Sequence, residues 1–200
     1  MNLARTVLFI DYQNVYKGAR ETFHELRASP QCGQIDPMRL GHLLVQRSAG
    51  RTLTGVRVYR GRPDSEKDPK GYGANRRQSA VWEHAGATVV TRALRYPAAW
   101  PAEREEEKGI DVALALDFMA MAVHGEYDVG ILMSTDTDLK PALEKVIALG
   151  GSPFPRCEVA AWSSPDRHCR RLSIQKAKLW CHWLGLDDYR AVADPTDYVT

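Results

Sequence analysis

After a short lead the chain enters Thr6-Val-Leu-Phe-Ile10, a run that is almost purely apolar and is closed by Asp11. A short run of this kind, bounded by polar residues, suits a strand buried on both faces of a parallel sheet. A helical segment from about Val15 to Leu26 follows, and a Pro/Cys/Gly stretch at 30–33 breaks the chain. Asp36-Pro37 has the form of an N-cap with proline at the first helical position, opening a helix with Leu40, Leu43 and Leu44 on one face. Thr54–Tyr59 alternates as a second strand and runs into a polar loop, 61–71, rich in turn formers. A helix around Asn75–His84 then leads to a third strand, Thr88–Leu94.

The second half repeats the alternation. Tyr96–Glu107 reads as an acid-rich, proline-containing connection of lid-like character. From Ile110 to Val123 the apolar residues are nearly continuous, which predicts a helix packed on several sides. Tyr127–Met133 is the fourth strand. Asp138–Leu149 is a helix stopped by Gly150-Gly151, with Pro141 tolerated in its first turn. Glu158–Trp162 is the fifth strand. The stretch 169–184 reads as short helices or as a helix and an edge strand, with Trp180, Trp183 and Leu184 either covering a partner, a second copy included, or completing the core. Strands alternating with helices predict an α/β fold, a mostly parallel sheet covered on both faces, as one domain over 1–185 with a loosely held acidic tail at 186–200.

Composition changes this picture little. An apolar fraction of 44% and a charged fraction of 26% are ordinary for a globular domain, and the net charge of +2 favours no class of partner. No apolar run approaches the ~20 residues of a membrane span, and no signal-type segment opens the chain, so the cytoplasm is the default expectation. The four cysteines lack CxxC or HxxxH spacing, which argues for reduced thiols and against a zinc ribbon or a disulfide framework. Between Arg51 and Arg95 stand ten Lys/Arg against four acids, a local excess able to follow phosphates.

Candidate chemistry lies at the strand ends. In open α/β sheets ligands collect beyond the carboxyl ends of the strands. Asp11 follows the first strand directly, and Asp136 and Asp138 follow the fourth within Met133-Ser-Thr-Asp136-Thr-Asp138. Asp111 opens the apolar helix beside Lys108-Gly109. Carboxylates crowded at one rim repel unless a cation offsets them, and Mg²⁺ or Mn²⁺, hard cations that prefer oxygen, are the natural candidates. Such a centre suits phosphodiester hydrolysis. Asn14 lies one helical turn beyond Asp11, and the Ser134 and Thr135 hydroxyls are near enough in sequence to hold a carboxylate. Each aspartate also has a plainer reading, Asp11 and Asp138 as helix caps and Asp111 as a helix-dipole partner. Asp117 stands six residues, about 240° net, around the helix from Asp111 and cannot share its face.

Phe9-Ile-Asp11-Tyr-Gln-Asn14, Lys108-Gly-Ile-Asp111 through Asp117, and Ser134-Thr-Asp136-Thr-Asp138-Leu139 resemble, in order and spacing, the motifs of NYN domains in the PIN-like superfamily of metal-dependent ribonucleases. The resemblance covers roughly 5–162. It implies a Rossmann-like sheet, an acidic pocket for Mg²⁺ or Mn²⁺, and RNA as substrate. By matching position it makes Asp11, Asp111 and Asp136 the core ligands, with Asp138 and Asn14 supporting. Lys108, next to Asp111 in the chain, is a candidate cation beside the scissile phosphate, or else a salt-bridge partner within the Glu105–Glu107 run. Two positions depart from the common pattern: Thr135 stands where glycine is usual, and Leu139 where phenylalanine is common.

A cutting pocket needs an approach for a single strand. Arg57, Arg60, Arg62, Lys67, Lys70, Arg76 and Arg77 supply cations, and Tyr59 and Tyr72 supply rings for base stacking. Competing readings are a catalytically silent RNA-binding or scaffold protein on the same fold, a haloacid-dehalogenase-like phosphatase, a topoisomerase-primase-type domain, and a nucleotide-sugar transferase. Gln13 removes the second carboxylate that the phosphatase needs, and Asp11 stands where the topoisomerase-primase type expects Glu. The transferase leaves Asp11, Asn14 and Asp111 unexplained.

Overall fold

A computed structural model of the chain describes residues 3–25, 27–150, 155–175 and 177–199. The strands are β1 (Ala4–Asp11), β2 (Arg51–Arg62), β3 (Thr88–Ala93), β4 (Val129–Met133), β5 (Arg156–Trp162) and β6 (Trp180–Leu184). They form one sheet in the order β3-β2-β1-β4-β5-β6, and every neighbouring pair is parallel. The helices are α1 (Tyr12–Phe23), α2 (Pro37–Gln46), α3 (Pro69–His84), α4 (Ile110–Val123), α5 (Lys140–Leu149) and α6 (Leu186–Val192), with a single 3-10 turn at Thr137–Leu139. This is the expected α/β fold, with the parallel character extending to the whole sheet. The strand order reverses between β1 and β4, and at such a switch point neighbouring crossovers diverge to leave a crevice.

The sheet is covered on both faces. Leu8, Ile10, Val58 and Ile131 pack with α1, α2 and Trp82 of α3 on one side. Val7, Phe9, Leu132 and Val159 pack with α4 and α5 on the other. Consecutive residues of β1 thus serve opposite layers, and Phe9 and Ile10 are each 0% exposed, so the purely apolar run follows directly from double burial.

Several elements differ from the sequence reading. Helix α1 begins at Tyr12, immediately after its cap Asp11, rather than at Val15; its expected end at Leu26 lies outside the described residues. Helix α3 begins at Pro69, because Asp68 accepts from Gly71 N–H and repeats the Asp-Pro start seen at 36–37. The helix expected from Asp138 is split into the 3-10 turn, capped by Asp136, and α5. Its stop at Gly150 is described, whereas Gly151 lies outside the described residues. The 96–107 connection is folded back by a bridge between Arg95 and Glu106 and by Tyr96 packed edge-on to Trp100. Helix α4 is apolar all round yet covered on one side only, so that Val112, Leu116 and Val123 remain exposed. Leu184 completes the core while Trp180 and Trp183 face outward.

The acidic segment from Leu186, expected to be loose, contains a packed helix. Tyr189 and Val192 of α6 are buried, Tyr189 stacks on Phe23 and its hydroxyl accepts from Gly33 N–H. Apolar residues interleaved with the acids supply the buried face.

Candidate metal centre

The switch point gathers the acids. Asp11 ends β1, Asp136 follows β4, and Asp111 sits in the first turn of α4, and each offers a carboxylate oxygen within 4.8 Å of the others. Opposite ligands of a Mg²⁺ ion are about 4.2 Å apart, twice the metal–oxygen distance. Neighbouring ligands of the same octahedron are closer, about 3 Å, so the three side chains must draw together by rotation to share one ion; the donors are all hard oxygens, so their chemistry fits Mg²⁺ or Mn²⁺.

Local chemistry fixes each carboxylate. Asp11 Oδ1 accepts from Asn14 N–H at 3.2 Å and caps α1, while Oδ2 accepts from the Ser134 hydroxyl at 2.8 Å. Asp11 is buried, and burial pushes its carboxyl up to about 7; the two hydrogen bonds oppose the rise, and the charges of Asp111 and Glu107 add to it. Asp136 N–H donates to Ser134 Oγ at 3.0 Å, and Asp136 Oδ1 accepts from Asp138 N–H at 2.9 Å. Asp111 is half-buried; burial and then the charges of Asp136 and Asp138 raise its carboxyl above the usual range. Gly109, at φ 77° in the left-handed region and with open space around it, turns the chain into α4 just ahead of Asp111.

The remaining sequence candidates fall around this trio. Asp138 is exposed and close enough to act on Asp111 electrostatically, but it is not one of the three converging carboxylates. Asn14 Oδ1 accepts from both the backbone N–H and the hydroxyl of Thr135, at 3.0 and 3.1 Å, which clamps the β4 loop to α1. Lys108 is exposed and pairs with Glu106 at 3.2 Å. Asp117 is turned away, accepting from Arg57 at 2.7 Å and from the Tyr59 hydroxyl at 2.8 Å. Tyr59 is 0% exposed, so it offers no ring for a base.

Glu107 escaped the sequence reading. Its Oε1 accepts from Gly61 N–H at 2.6 Å, and a side chain at position 61 would collide with it, so Gly61 permits the approach. Burial raises the Glu107 carboxyl above the usual range, the Asp111 charge adds to this, and Lys17 and Arg60 oppose it. A fourth carboxylate and a lysine that offsets it thus come from the 96–107 connection and from α1. On the other flank a cavity of about 480 Å³ runs from Asn14, Ser134 and Thr135 to Arg167, His168 and Arg170. No motif marks those three cationic or ionisable side chains in the sequence.

A doubly covered parallel sheet with a carboxylate trio at its switch point defines a PIN-like α/β domain with a candidate divalent-metal centre. The NYN domain model matches residues 5–151, and the chain belongs to that family. A crystal structure of a Vibrio parahaemolyticus protein of unknown function is similar in fold, with TM-score 0.52 and 19% identity over 80% of this chain and 82% of that one. No curated protein matches. No described helix is long and apolar enough to cross a membrane.

Proposed function

We propose that this protein is a divalent-metal-dependent ribonuclease that holds Mg²⁺ or Mn²⁺ on Asp11, Asp111 and Asp136 and hydrolyses phosphodiester bonds of single-stranded RNA there. The observation that carries the reading is the convergence of three carboxylates from three separate elements on one point. Left without a cation, such a cluster is unfavourable, because ionising the buried Asp11 sets it beside two like charges. NYN family membership adds the chemical context.

When bound, the ion supplies positive charge to polarise the phosphate and to favour ionisation of an attacking water. The chain's own residues do the positioning. Ser134 and Asn14 N–H hold the two Asp11 oxygens, and Asn14 fixes the loop that presents Asp136. Asp138 and Glu107 border the trio and add negative charge, which raises the affinity for a cation. Lys17 lies near Glu107 and offsets its charge, while Lys108 is turned outward to Glu106. Arg167 and Arg170 flank the centre on the β5 side and suit the path of the backbone.

The second reading, a catalytically silent RNA-binding or scaffold protein, draws on Thr135 in place of glycine. Its hydroxyl is turned to Asn14 rather than left free over the carboxylates, which weakens that reading. The test is cleavage of mixed-sequence single-stranded RNA with Mn²⁺ or with chelator. Cleavage is expected with Mn²⁺ only, and a fall of at least 100-fold in Asp11→Asn and in Asp136→Asn. RNA binding without any cleavage by the wild-type protein establishes the silent reading instead.

A further inference from the structure

Strand alternation sends Arg60 to the face opposite Tyr59, where it lies against the packed pair of rings Tyr12 and Trp82, its guanidinium carbon 4.9 and 5.0 Å from their centroids. Its hydrogen bond is NH1 to Gln78 Oε1 at 2.9 Å; Nε is sealed from water without a partner, and no carboxylate pairs with it among the described residues. Gln78 cannot swing away, because its Nε2 donates to the Tyr12 hydroxyl at 3.1 Å and to Gln34 Oε1 at 3.2 Å. Nε is out of a ligand's reach, so the NH1 and NH2 hydrogens that Gln78 does not take are the donors Arg60 has left for an acceptor.

What it faces is a cleft of about 760 Å³ between α1, β2 and α3. Gln13, two residues past Asp11, lines it, as does Glu107, so the cleft opens directly beside the acidic centre. Tyr16 is half-buried on its wall, its hydroxyl donating to Pro30 O at 2.8 Å, and presents a fixed ring. The rim carries Glu105, Glu106, Glu107 and Asp197, of which Glu106 is paired with Lys108, against Lys17. That balance repels a free phosphate but not a neutral base.

We propose that this cleft is a base pocket that takes one unstacked guanine. Guanine offers O6 and N7 as a pair of acceptors for an arginine fork, and its N1–H and N2–H₂ are donors for carboxylates, so one base answers both the unpaired cation and the acidic rim. Adenine puts an amine donor where guanine has O6, facing the guanidinium donor to donor. Tyr16 supplies the stacking face, as is usual where single strands are read. Placing that guanine on an RNA strand next to the cut rests on the proposed function; the pocket itself does not.

The experiment therefore uses the full chain in chelator, where no cleavage occurs, and titrates GMP, AMP and inorganic phosphate by calorimetry. Saturable GMP binding, at least tenfold tighter than AMP and tighter still than phosphate, is expected. Arg60→Lys keeps the charge and loses the planar fork, so it should lower GMP affinity tenfold or more and leave AMP little changed. Asp136→Asn should keep the GMP preference while losing RNA cleavage, which separates the pocket from the metal centre. Equal binding of GMP and AMP, phosphate binding as tight as GMP, no saturable GMP binding by the wild-type protein, or a GMP preference that survives in folded Arg60→Lys overturns the proposal. The wild-type comparison decides even where the variant fails to fold.

Discussion

Each Asp11 oxygen accepts one hydrogen bond, from Asn14 N–H and from Ser134, and so keeps a lone pair for a cation. In the metal-free protein the same residue is a liability. Burial holds its folded-state carboxyl at about 7, above its unfolded value, so the folded state keeps a proton that the unfolded state gives up. The destabilisation is absent well below pH 4, grows as pH rises toward 7 and is complete above it, reaching up to about 4 kcal/mol. Asp11→Asn in chelator should therefore raise the melting temperature at pH 8 and leave it nearly unchanged at pH 4; a uniform effect across pH contradicts the assigned burial. The strand-end position made Asp11 and Asp136 legible in the sequence. Glu107 and Lys17 were not, because what draws them in is the close approach of Glu107 to Gly61, a contact no linear pattern encodes. Lys108 adjoins Asp111 in sequence, yet its side chain pairs outward with Glu106.

Elements were readable where burial is simple. Strands β1 and β4 are doubly buried and appear as apolar runs, whereas β6, Trp-Cys-His-Trp-Leu, hides a buried histidine that reads as polar. His182 Nε2 donates to the ionised Glu158 carboxylate at 2.8 Å, and Arg51 grips the same carboxylate with two bonds of 2.7 Å, tying β2, β5 and β6 together across the sheet. Burial acts to raise the Glu158 carboxyl, but the hydrogen bonds from His182 and Arg51 and their charges outweigh it and hold it at about 2. This network adds stability above about pH 4 and loses it as pH falls toward 2, the opposite sign to Asp11. Glu158→Gln leaves Arg51 buried without its counter-charge and should lower stability by about 3 kcal/mol in urea melts at pH 7. Breaking the exposed Arg190–Asp187 pair by Arg190→Ala should change it by under about 1 kcal/mol. Equal effects from the two variants would contradict the burial assigned to the network. The start of α3 was missed although Asp68-Pro69 repeats the signature that marked α2.

At the scale of the molecule, the switch point sets the acidic centre between two clefts of different character. One runs toward Arg167 and Arg170 and suits a phosphate backbone; the other holds Arg60 against a pair of aromatic rings and suits a base. The basic stretch 51–95 was read as a surface track, but Arg57 is bound to Asp117, Arg60 is turned inward and Arg77 holds the carbonyls of Tyr198 and Val199. Sequence supplied the charges, and the alternation of β2 together with packing against α4 and α3 decided which remained available. The proposed nuclease activity depends on a divalent ion at the centre. Calorimetric titration of Mn²⁺ into metal-free wild-type protein and into Asp111→Asn, which keeps Asp11 and Asp136 in place, measures that directly. One saturable site in the wild type, weakened at least tenfold in the variant, is the predicted result. Equal affinity in the two proteins, or no saturable site at millimolar Mn²⁺, would contradict the metal centre.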